Sequence, residues 1–512
     1  MTPEAPAAWD ETVDIVVIGF GAAGAVAAIE AADAGASVLL LEKMPDPGGI
    51  SILSAGGIRV SLDVEQGYQY LHATCGGRTP DDVLRALADG MAEMPEYVRR
   101  LAQANNAHIK VVQGPGNYPF PGCDALALVE VAGISGFDAA TEYPAVRPAR
   151  PGCLLFKLLH DNVAQRRIPV WLSTRAEQLL RTSSGEITGI RVTRAGRSVQ
   201  IKARCAVILA CGGFEADEDM KQQYLPATPV ICGSFRGNTG DGIRMAQKVG
   251  AGLWHMWHHH GPCGFRHPDP AYPFGIYVKL LPMWTPEREK KILPRMAWIV
   301  VDQAAQRYTD EYPPYLSDTG VRQFELFEPK SYRHQRSPSF LIFDEAGRRM
   351  YPMGRSVTND RDAHYEWSAD NLAELENGIL KRADSIAELA QKLGLDAAAL
   401  TASVARWNLH CDANVDGDFG RKPETMMALR TPPYYAGEIW PVVINTHGGP
   451  VHNAHQQVLD PYGEPIPRLY AAGELGGVFG HIYMAGGNLA ECFVGGRNAA
   501  RHAARLIPWD AA

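Results

Sequence analysis

The sequence predicts an α/β fold in which a Rossmann-type dinucleotide-binding domain is interrupted by an inserted α+β domain. Three observations carry this expectation. Near the N-terminus a β-branched run, a Gly-x-Gly-x-x-Gly turn, an alanine-rich stretch and a second apolar run ending in an acid come in order. A loop rich in small residues, PGGISILSAGGI, follows that second run. Residues 255–425 carry Pro-rich turns and helical patterns that suit an inserted domain, with no second glycine motif in comparable context.

The first element is Val13–Ile18, VDIVVI, a short β-branched run suited to a buried parallel strand. It runs into GFGAAG, with Gly19, Gly21 and Gly24. Gly19 permits the tight turn, Gly21 lets the backbone approach a pyrophosphate, and Gly24 allows close helix–strand packing. AVAAIEAADAG then predicts a helix ended by Gly35. Its start, at Ala22 and Ala23, offers free N–H groups and the positive dipole end to phosphates. SVLLLE predicts a second strand ending at Glu42, 21 residues after Gly21. Glu42 can accept hydrogen bonds from a ribose diol, and its charge disfavours a 2′-phosphate. The motif itself serves NAD and FAD alike. The stretch after Glu42 leans to FAD: Gly48, Gly49, Ile50, Ser51, Ser54, Ala55, Gly56 and Gly57 form a small-residue loop whose amides can lie along an extended cofactor.

This stretch resembles the glutathione-reductase-like FAD domain of the fumarate reductase and 3-ketosteroid dehydrogenase flavoproteins, where GG-x-S is followed by S-A-G-G. The resemblance recurs along the chain. Val207–Phe214, VILACGGF, with Gly212, resembles the strand and turn beneath the cofactor. NTGDGIRMA, with Asp241, matches the TGDG helix start. LYAAGE, ending at Glu474, matches the strand that reaches the ribityl chain. GGNL, with Asn488 and Leu489, resembles the helix start facing the flavin pyrimidine ring. The resemblance implies non-covalent FAD, with Lys43 and Ala176 also along it. It implies a discontinuous FAD domain, 1–254 and 426–512, and a capping, substrate-holding domain, 255–425. A lid is expected because a reduced flavin and an enolate are both vulnerable to water and dioxygen. In the inserted part ADNLAELENGILKRA (369–383), SIAELAQKL and DAAALTASVARWNLHCDA read as helical. GEITGIRVTRAGRSVQIKARCAVILA reads as a hairpin plus a return strand.

FAD would carry the redox step, while the protein supplies orientation and acid/base groups. Fumarate-reductase-like members hold a dicarboxylate with His and Arg; ketosteroid-dehydrogenase-like members use Tyr and backbone N–H groups around a ketone. Three positions discriminate. In QRYTDEYPPYLS (306–317), Tyr315 stands where the reductases have the proton-donating Arg, and DEYPPY fits the N-E-x-x-P-Y pattern whose Tyr is a base. In GHIYMAGGN (480–488), Tyr483 replaces the carboxylate-clamping Arg. The ketosteroid pattern G-H-T-Y-P-G-P-G-G is one residue longer, which leaves open whether Gly486 or Gly487 supplies the amide. Asn445 stands at the carboxylate-binding His position, with His447 two residues on. An anion without paired cations in a closed site would be costly, whereas a ketone needs neutral donors at its oxygen.

The resemblance therefore implies a ketone desaturase. Tyr483 and a Gly486 or Gly487 amide polarise the ketone, Tyr315 takes the α-proton, and hydride passes from the β-carbon to FAD. Tyr118, in GPGNYPF, stands where some relatives carry a helper Tyr. The substrate class is a 3-ketosteroid or smaller cyclic ketone, with an external electron acceptor. The alternative is an ene-reductase acting on an unsaturated carboxylic acid; His259 is the nearest match to the reductases' substrate-binding His. A non-catalytic flavin-bound subunit is a third reading. His255, His258, His259 and His260 invite a metal, but strand alternation would split them and no carboxylate follows at ligand spacing, so no metal is expected.

Composition bounds the rest. The chain of 512 residues is 46% hydrophobic and 21% charged, with 49 Lys+Arg against 57 Asp+Glu, a net charge of −8. That argues against nucleic acid as the main partner. No apolar run reaches the ~18 residues of a membrane helix, and MTPEAPAAWDETVD has no secretory pattern, so no membrane insertion and a cytoplasmic location are expected. Nine cysteines with no C-x-x-C read as buried thiols. A homo-oligomer is compatible with all of this. The run PEREKK (286–291) reads as a solvated turn.

Overall fold

The structure, a computed structural model, describes residues 8–279, 281, 294–312 and 315–511. The run 286–291 and two prolines of DEYPPY, Pro313 and Pro314, lie outside the described residues. The chain divides into two compact units. The first is Met1–Met220, Phe235–His259 and Asn445–Ala512; the second is Lys221–Ser234 and His260–Ile444. Compared with boundaries at 254/255 and 425/426, the strand Tyr434–Val443 falls in the second unit. Its pairing partners there, Ser339–Asp344 and Leu380–Ala383, decide its place.

In the first unit, Glu11–Ile18 pairs in parallel with Val38–Leu41 on one side and Arg197–Leu209 on the other. Arg197–Leu209 pairs in parallel with Pro465–Ala471, and Val170–Trp171 extends the far edge. Ile15–Ile18 and Val38–Leu41 are buried throughout, as continuous apolar runs in a parallel sheet must be. The hairpin reading is matched by Ile187–Arg194 and Arg197–Leu209, which pair antiparallel before the longer strand enters the parallel sheet. The first helix, Ala22–Asp33, starts three residues earlier than its alanine-rich stretch, directly from Gly21. Its residues from Ala22 to Ala31 are buried on every side, the signature of a core helix. The C-terminal helix, Gly487–Ala503, packs against it. A Cβ at Gly496 would lie 2.6 Å from the Ala23 carbonyl oxygen, so a side chain there would force the two helices apart.

The second unit is built on a largely antiparallel sheet, Trp298–Val301, Ser339–Asp344, Tyr434–Val443, Cys263–Arg266, Gly275–Val278 and Gly354–Arg355 in order. Helices Ile386–Leu393 and Ala397–Ala413 form as read. Ser385 and Asp396 cap them by accepting from the Glu388 and Ala399 N–H groups. Leu389, Leu400, Val404 and Trp407 pack with Ile299, Phe340 and Ile342 of the sheet into one core. The third helical reading, 369–383, is corrected. Only Ala373–Glu376 is helical, and Leu380–Ala383 is a strand on Tyr434–Val443. Gly378, at φ +87°, turns the chain out of the helix. The strand then buries Leu380 and Ala383 and exposes Lys381 and Arg382. Long-range pairing outweighs the local helical preference. Among the described residues, no helix is long and apolar enough to cross a membrane.

Candidate functional site

The three motif glycines are held by different neighbours. A Cβ at Gly19 would lie 2.3 Å from the Ala210 carbonyl oxygen, and one at Gly24 would lie 1.8 Å from the Gly19 oxygen. Both positions are demanded by the protein's own backbone. A Cβ at Gly21 meets nothing nearer than Ser51 Oγ at 3.3 Å, so protein contacts leave its far side open. The Ala22 N–H donates to Ser51 Oγ (3.0 Å), and the Gly48 N–H donates to the Phe20 carbonyl (2.8 Å). These bonds fasten the loop of Gly49, Ile50, Ser51, Ser54, Ala55, Gly56 and Gly57 to the glycine turn. The Gly56 N–H donates to Ser54 Oγ at 3.2 Å.

Glu42, at the end of the second strand, is buried. Its carboxyl accepts from the Phe20 N–H (2.9 Å) and the Met44 N–H (2.8 Å). Burial raises its pKa, against those two donors. Lys43 reaches across to Thr239 (2.6 Å) and Asp241 (2.8 Å). Asp241 also pairs with Arg175 (2.8 Å), the residue before the buried Ala176. Burial opposes ionisation of Asp241, but Lys43 and Arg175 outweigh it and hold the carboxyl below its usual range. Three chain segments distant in sequence thus meet around Glu42–Lys43.

Further along the sheet's C-terminal edge, Gly212 lies against the amide of Asn238, whose atoms a Cβ there would approach to 2.6 Å. Asn238 Nδ2 and Asn445 Nδ2 donate to the two oxygens of Glu474 (3.1 and 2.9 Å). Glu215 sits beside Glu474, and the Thr446 N–H donates to both (2.8 and 3.2 Å). Burial, then the neighbouring Glu215, pushes the Glu474 carboxyl well above the ordinary range. The Glu474 carboxyl is thereby favoured in its protonated form.

A third cluster gathers Tyr483, Gly486 and Gly487, with the loop that carries Tyr118 tied to it. The Gly486 N–H donates to the Tyr483 hydroxyl at 3.2 Å. The Gly487 N–H is taken by the Met484 carbonyl at 2.8 Å. This separates the two amides that sequence reading left open: Gly486 is the one aimed at the phenol. Burial raises the Tyr483 pKa, with the Asn488 and Gly486 amides acting against it. The Tyr483 ring stacks on His447 (centroids 5.2 Å apart), which in turn stands 4.4 Å from His258. The loop of Tyr118 is tied to that of Tyr483 by two residues. Arg59 donates to the carbonyls of Gly114, Pro115 and Ala485, and the Ala485 N–H donates to Asn117 Oδ1 (3.0 Å). Tyr118 itself is buried, and its N–H donates to the Tyr70 hydroxyl at 3.0 Å. Leu489 is buried in the first turn of the C-terminal helix. Asn488 beside it is also withdrawn from solvent, and neither its amide nitrogen nor its oxygen has a hydrogen-bond partner in the protein.

Tyr315 belongs to the second unit. It is buried, and its hydroxyl hydrogen-bonds to His260 Nε2 at 2.8 Å, with the rings stacked. Of the other histidines, His255 lies between the carbonyls of Gly477 and Arg78 (2.8 and 3.1 Å), and His258 Nδ1 contacts the Phe479 carbonyl.

Sequence reading missed Arg59, Glu215, Glu491 and the pairing of His260 with Tyr315. Glu215 directly follows VILACGGF, and its place just after that turn is the one sequence signal for it. Glu491, buried on the C-terminal helix, is raised to about 8 by burial, against the Val478 N–H it accepts. Nothing in the sequence around Arg59 or Glu491 marks either as buried.

These groups suit a dinucleotide with a second, flavin-bearing half. Gly21 is open where a pyrophosphate needs backbone approach, Glu42 ends the second strand, and the Asn488 amide is buried with both hydrogen-bonding capacities unmet. The fold and the site define an FAD-binding flavoprotein. The chain belongs to the FAD binding domain family, which it matches over residues 14–489. It is 28% identical over 501 residues to a fumarate reductase (cytochrome) of Shewanella frigidimarina, covering 97% of this chain and 77% of that protein. It is 27% identical over 576 residues to the 3-oxosteroid 1-dehydrogenase of Mycobacterium tuberculosis strain H37Rv, covering 96% and 98%. Among solved structures, the 3-ketosteroid delta1-dehydrogenase of Sterolibacterium denitrificans, in complex with 1,4-androstadiene-3,17-dione, superposes with a TM-score of 0.78. That pair shares 25% identity and covers 96% of this chain and 99% of the other. The protein is thus an FAD-dependent oxidoreductase of the ketosteroid dehydrogenase and fumarate reductase family.

Proposed function

We propose that this flavoenzyme desaturates the α,β C–C bond next to a ketone, on a 3-ketosteroid or a smaller cyclic ketone. The observation that carries the reading is the Gly486 N–H donating to the Tyr483 hydroxyl in a buried loop that lacks an Arg. A phenol backed by an amide is a neutral donor for a ketone oxygen and for the enolate charge that develops there. Tyr315 is the base that takes the α-proton, and Tyr118 supports the ketone site. FAD, when bound, supplies the acceptor for the β-hydride. In this reading Gly19, Gly21, Gly24, Ala22, Ala23 and Ser51 hold the pyrophosphate, and Glu42 holds the adenosine ribose. Lys43, Ala176 and Asp241 line the adenosine side. Gly49, Ile50, Ser54–Gly57, Gly212 and Glu474 follow the ribityl chain, and Asn488 with Leu489 meets the flavin ring. A small-molecule ketone and an external electron acceptor are the partners, and the cytoplasm is the location.

The second reading is an ene-reductase acting on an unsaturated carboxylic acid. The buried His258–His447 pair beside Tyr483 favours it, because imidazole N–H groups can donate to a carboxylate. It is also favoured by the fumarate reductase relative, at 28% identity against 27% for the dehydrogenase. Anaerobic mixing separates the two. Bleaching of the flavin by a 3-ketosteroid or cyclohexanone supports the ketone reading; bleaching by succinate alone rejects it. Tyr315→Phe and Tyr483→Phe are each expected to keep FAD and lower turnover by about 10²-fold or more. Wild-type turnover in Tyr315→Phe would remove that residue from the mechanism.

A further inference from the structure

A buried phenol is a poor base unless the proton it already carries has somewhere to go. The second unit provides a place. His260 Nε2 lies 2.8 Å from the Tyr315 hydroxyl, and the two rings stack with centroids 5.6 Å apart at 30°. Both side chains are buried. Their segments are fixed to each other, because the Gly261 N–H donates to the Ser317 carbonyl at 2.8 Å. The turn after Tyr315 is braced as well: the Asp318 and Gly320 N–H groups and the Thr319 hydroxyl all donate to the Tyr315 carbonyl. The charged groups on that turn satisfy one another, Asp318 Oδ1 accepting from Arg322 at 3.1 Å. The imidazole is in hydrogen-bond contact with the phenol and can exchange a proton with it.

We propose that His260 is a positioning residue that accepts the phenolic proton of Tyr315 as Tyr315 takes the substrate's α-proton. This deepens the ketone reading and rests on Tyr315 being the base. In the step, the substrate Cα–H bond breaks and its electron pair stays behind as the enolate. That proton forms a new O–H bond on Tyr315. The original Tyr315 O–H bond breaks, and its proton forms an N–H bond at His260 Nε2. A neutral phenol and an imidazolium result, so the negative charge on the enolate is balanced without a tyrosinate. The imidazolium later returns its proton to water. An imidazole holds an added proton far better than a neutral phenol does, so the histidine gives the displaced phenolic proton a destination that an isolated phenol lacks.

The test uses the holoenzyme and whichever ketone of a steroid and cyclohexanone panel bleaches the wild-type flavin. His260→Gln preserves a polar contact but cannot hold a proton. Its anaerobic bleaching rate should fall by about 10–100-fold, within the usual range for acid–base help. KM should change little, and the rising limb of the pH profile should move to higher pH. A wild-type rate and an unmoved profile would overturn the proposal. A second measurement needs neither a substitution at 260 nor a ketone. With 3-fluorotyrosine placed at 315, its ¹⁹F resonance should respond to a titration in the imidazole range. A resonance that changes only in the phenol range would overturn the coupling, whatever Tyr315→Phe does to turnover. Conversely, wild-type activity in Tyr315→Phe together with a responsive ¹⁹F signal in the separate fluorotyrosine enzyme would reject the base assignment and leave the coupling standing.

Discussion

Alanine at Gly24 and alanine at Gly21 should fail in opposite ways. At Gly24 the added carbon would land 1.8 Å from the Gly19 carbonyl oxygen and 3.0 Å from its carbon. Neither can step aside, because the Gly19 N–H is bonded to the Leu41 carbonyl at 2.7 Å. Relief requires moving a buried helix by more than an ångström, and overpacking of this kind costs about 1–3 kcal/mol or more. At Gly21 the added carbon touches only Ser51 Oγ at 3.3 Å and the Gly48 carbonyl at 3.9 Å, and φ is −90°, open to any L-residue. The apoprotein should lose less than about 1 kcal/mol, part of it offset by a stiffer unfolded chain. FAD affinity is where Gly21→Ala should act. A methyl that pushes the pyrophosphate off one N–H forfeits a hydrogen bond to a charged group, about 1.5–3 kcal/mol, or about 10–100-fold in Kd. Thermal melts of both apoproteins, with FAD titrations followed by quenching of flavin fluorescence, read the two quantities separately. A Gly21→Ala apoprotein that melts as low as Gly24→Ala, or one that binds FAD like wild type, would refute the reasoning.

Burial raises Glu491 from 4.5 to about 8, so the native state keeps a proton that the unfolded chain releases. That contribution is complete below about pH 4.5 and fades as pH rises towards 8. Glu491→Gln keeps the Val478 N–H contact and should gain on wild type over this window, by up to a few kcal/mol in denaturant melts; a difference independent of pH would contradict it. In the second unit, Arg421 is fully buried and donates to the carbonyls of Trp298, Met296 and Thr425 at 2.8–3.1 Å. It also stands 3.4 Å from Glu311, which pairs with Arg307. Arg421→Met leaves those carbonyls and part of a carboxylate unmet. It should lower stability by about 3–5 kcal/mol, read as a shift in the urea midpoint; a change under about 1 kcal/mol would refute the estimate.

The opening strand, glycine turn, helix and second strand were legible because their pattern is local. Each residue's job is set by neighbours within a few positions. Tyr315 and Tyr483 stand out in the sequence because they fall where the reductases it resembles carry charged residues, and both are buried in the structure. Arg59 was not, since it joins Gly114–Pro115 to Ala485, segments that only the fold brings together. Glu491 reads as an ordinary polar helix position until burial is known. The stretch 369–383 has helical composition, and only the neighbouring strand Tyr434–Val443 turns its last residues into sheet. The same strand shows why the boundary between the units is hard to read from residues alone: its unit is set by pairing with Ser339–Asp344, which no local pattern announces.

The parallel pairing of Leu469–Ala471 with Val207–Leu209, and the helix Gly487–Ala503 lying on Ala22–Asp33, also bear on how the molecule comes into being. During synthesis, the glycine turn leaves the ribosome hundreds of residues before the segments that complete its sheet and cover its helix. The side of Ala22–Asp33 that Gly487–Ala503 covers, and the edge of Arg197–Leu209 that Pro465–Ala471 pairs with, stay open until the entire second unit has been made. Closing so long a loop is slow more than it is costly. A chain stopped anywhere before Leu469 would therefore lack the end of its last parallel strand and the helix that covers Ala22–Asp33, rather than a dispensable tail. It would present those open surfaces to chaperones and proteases instead of folding into a smaller flavoprotein.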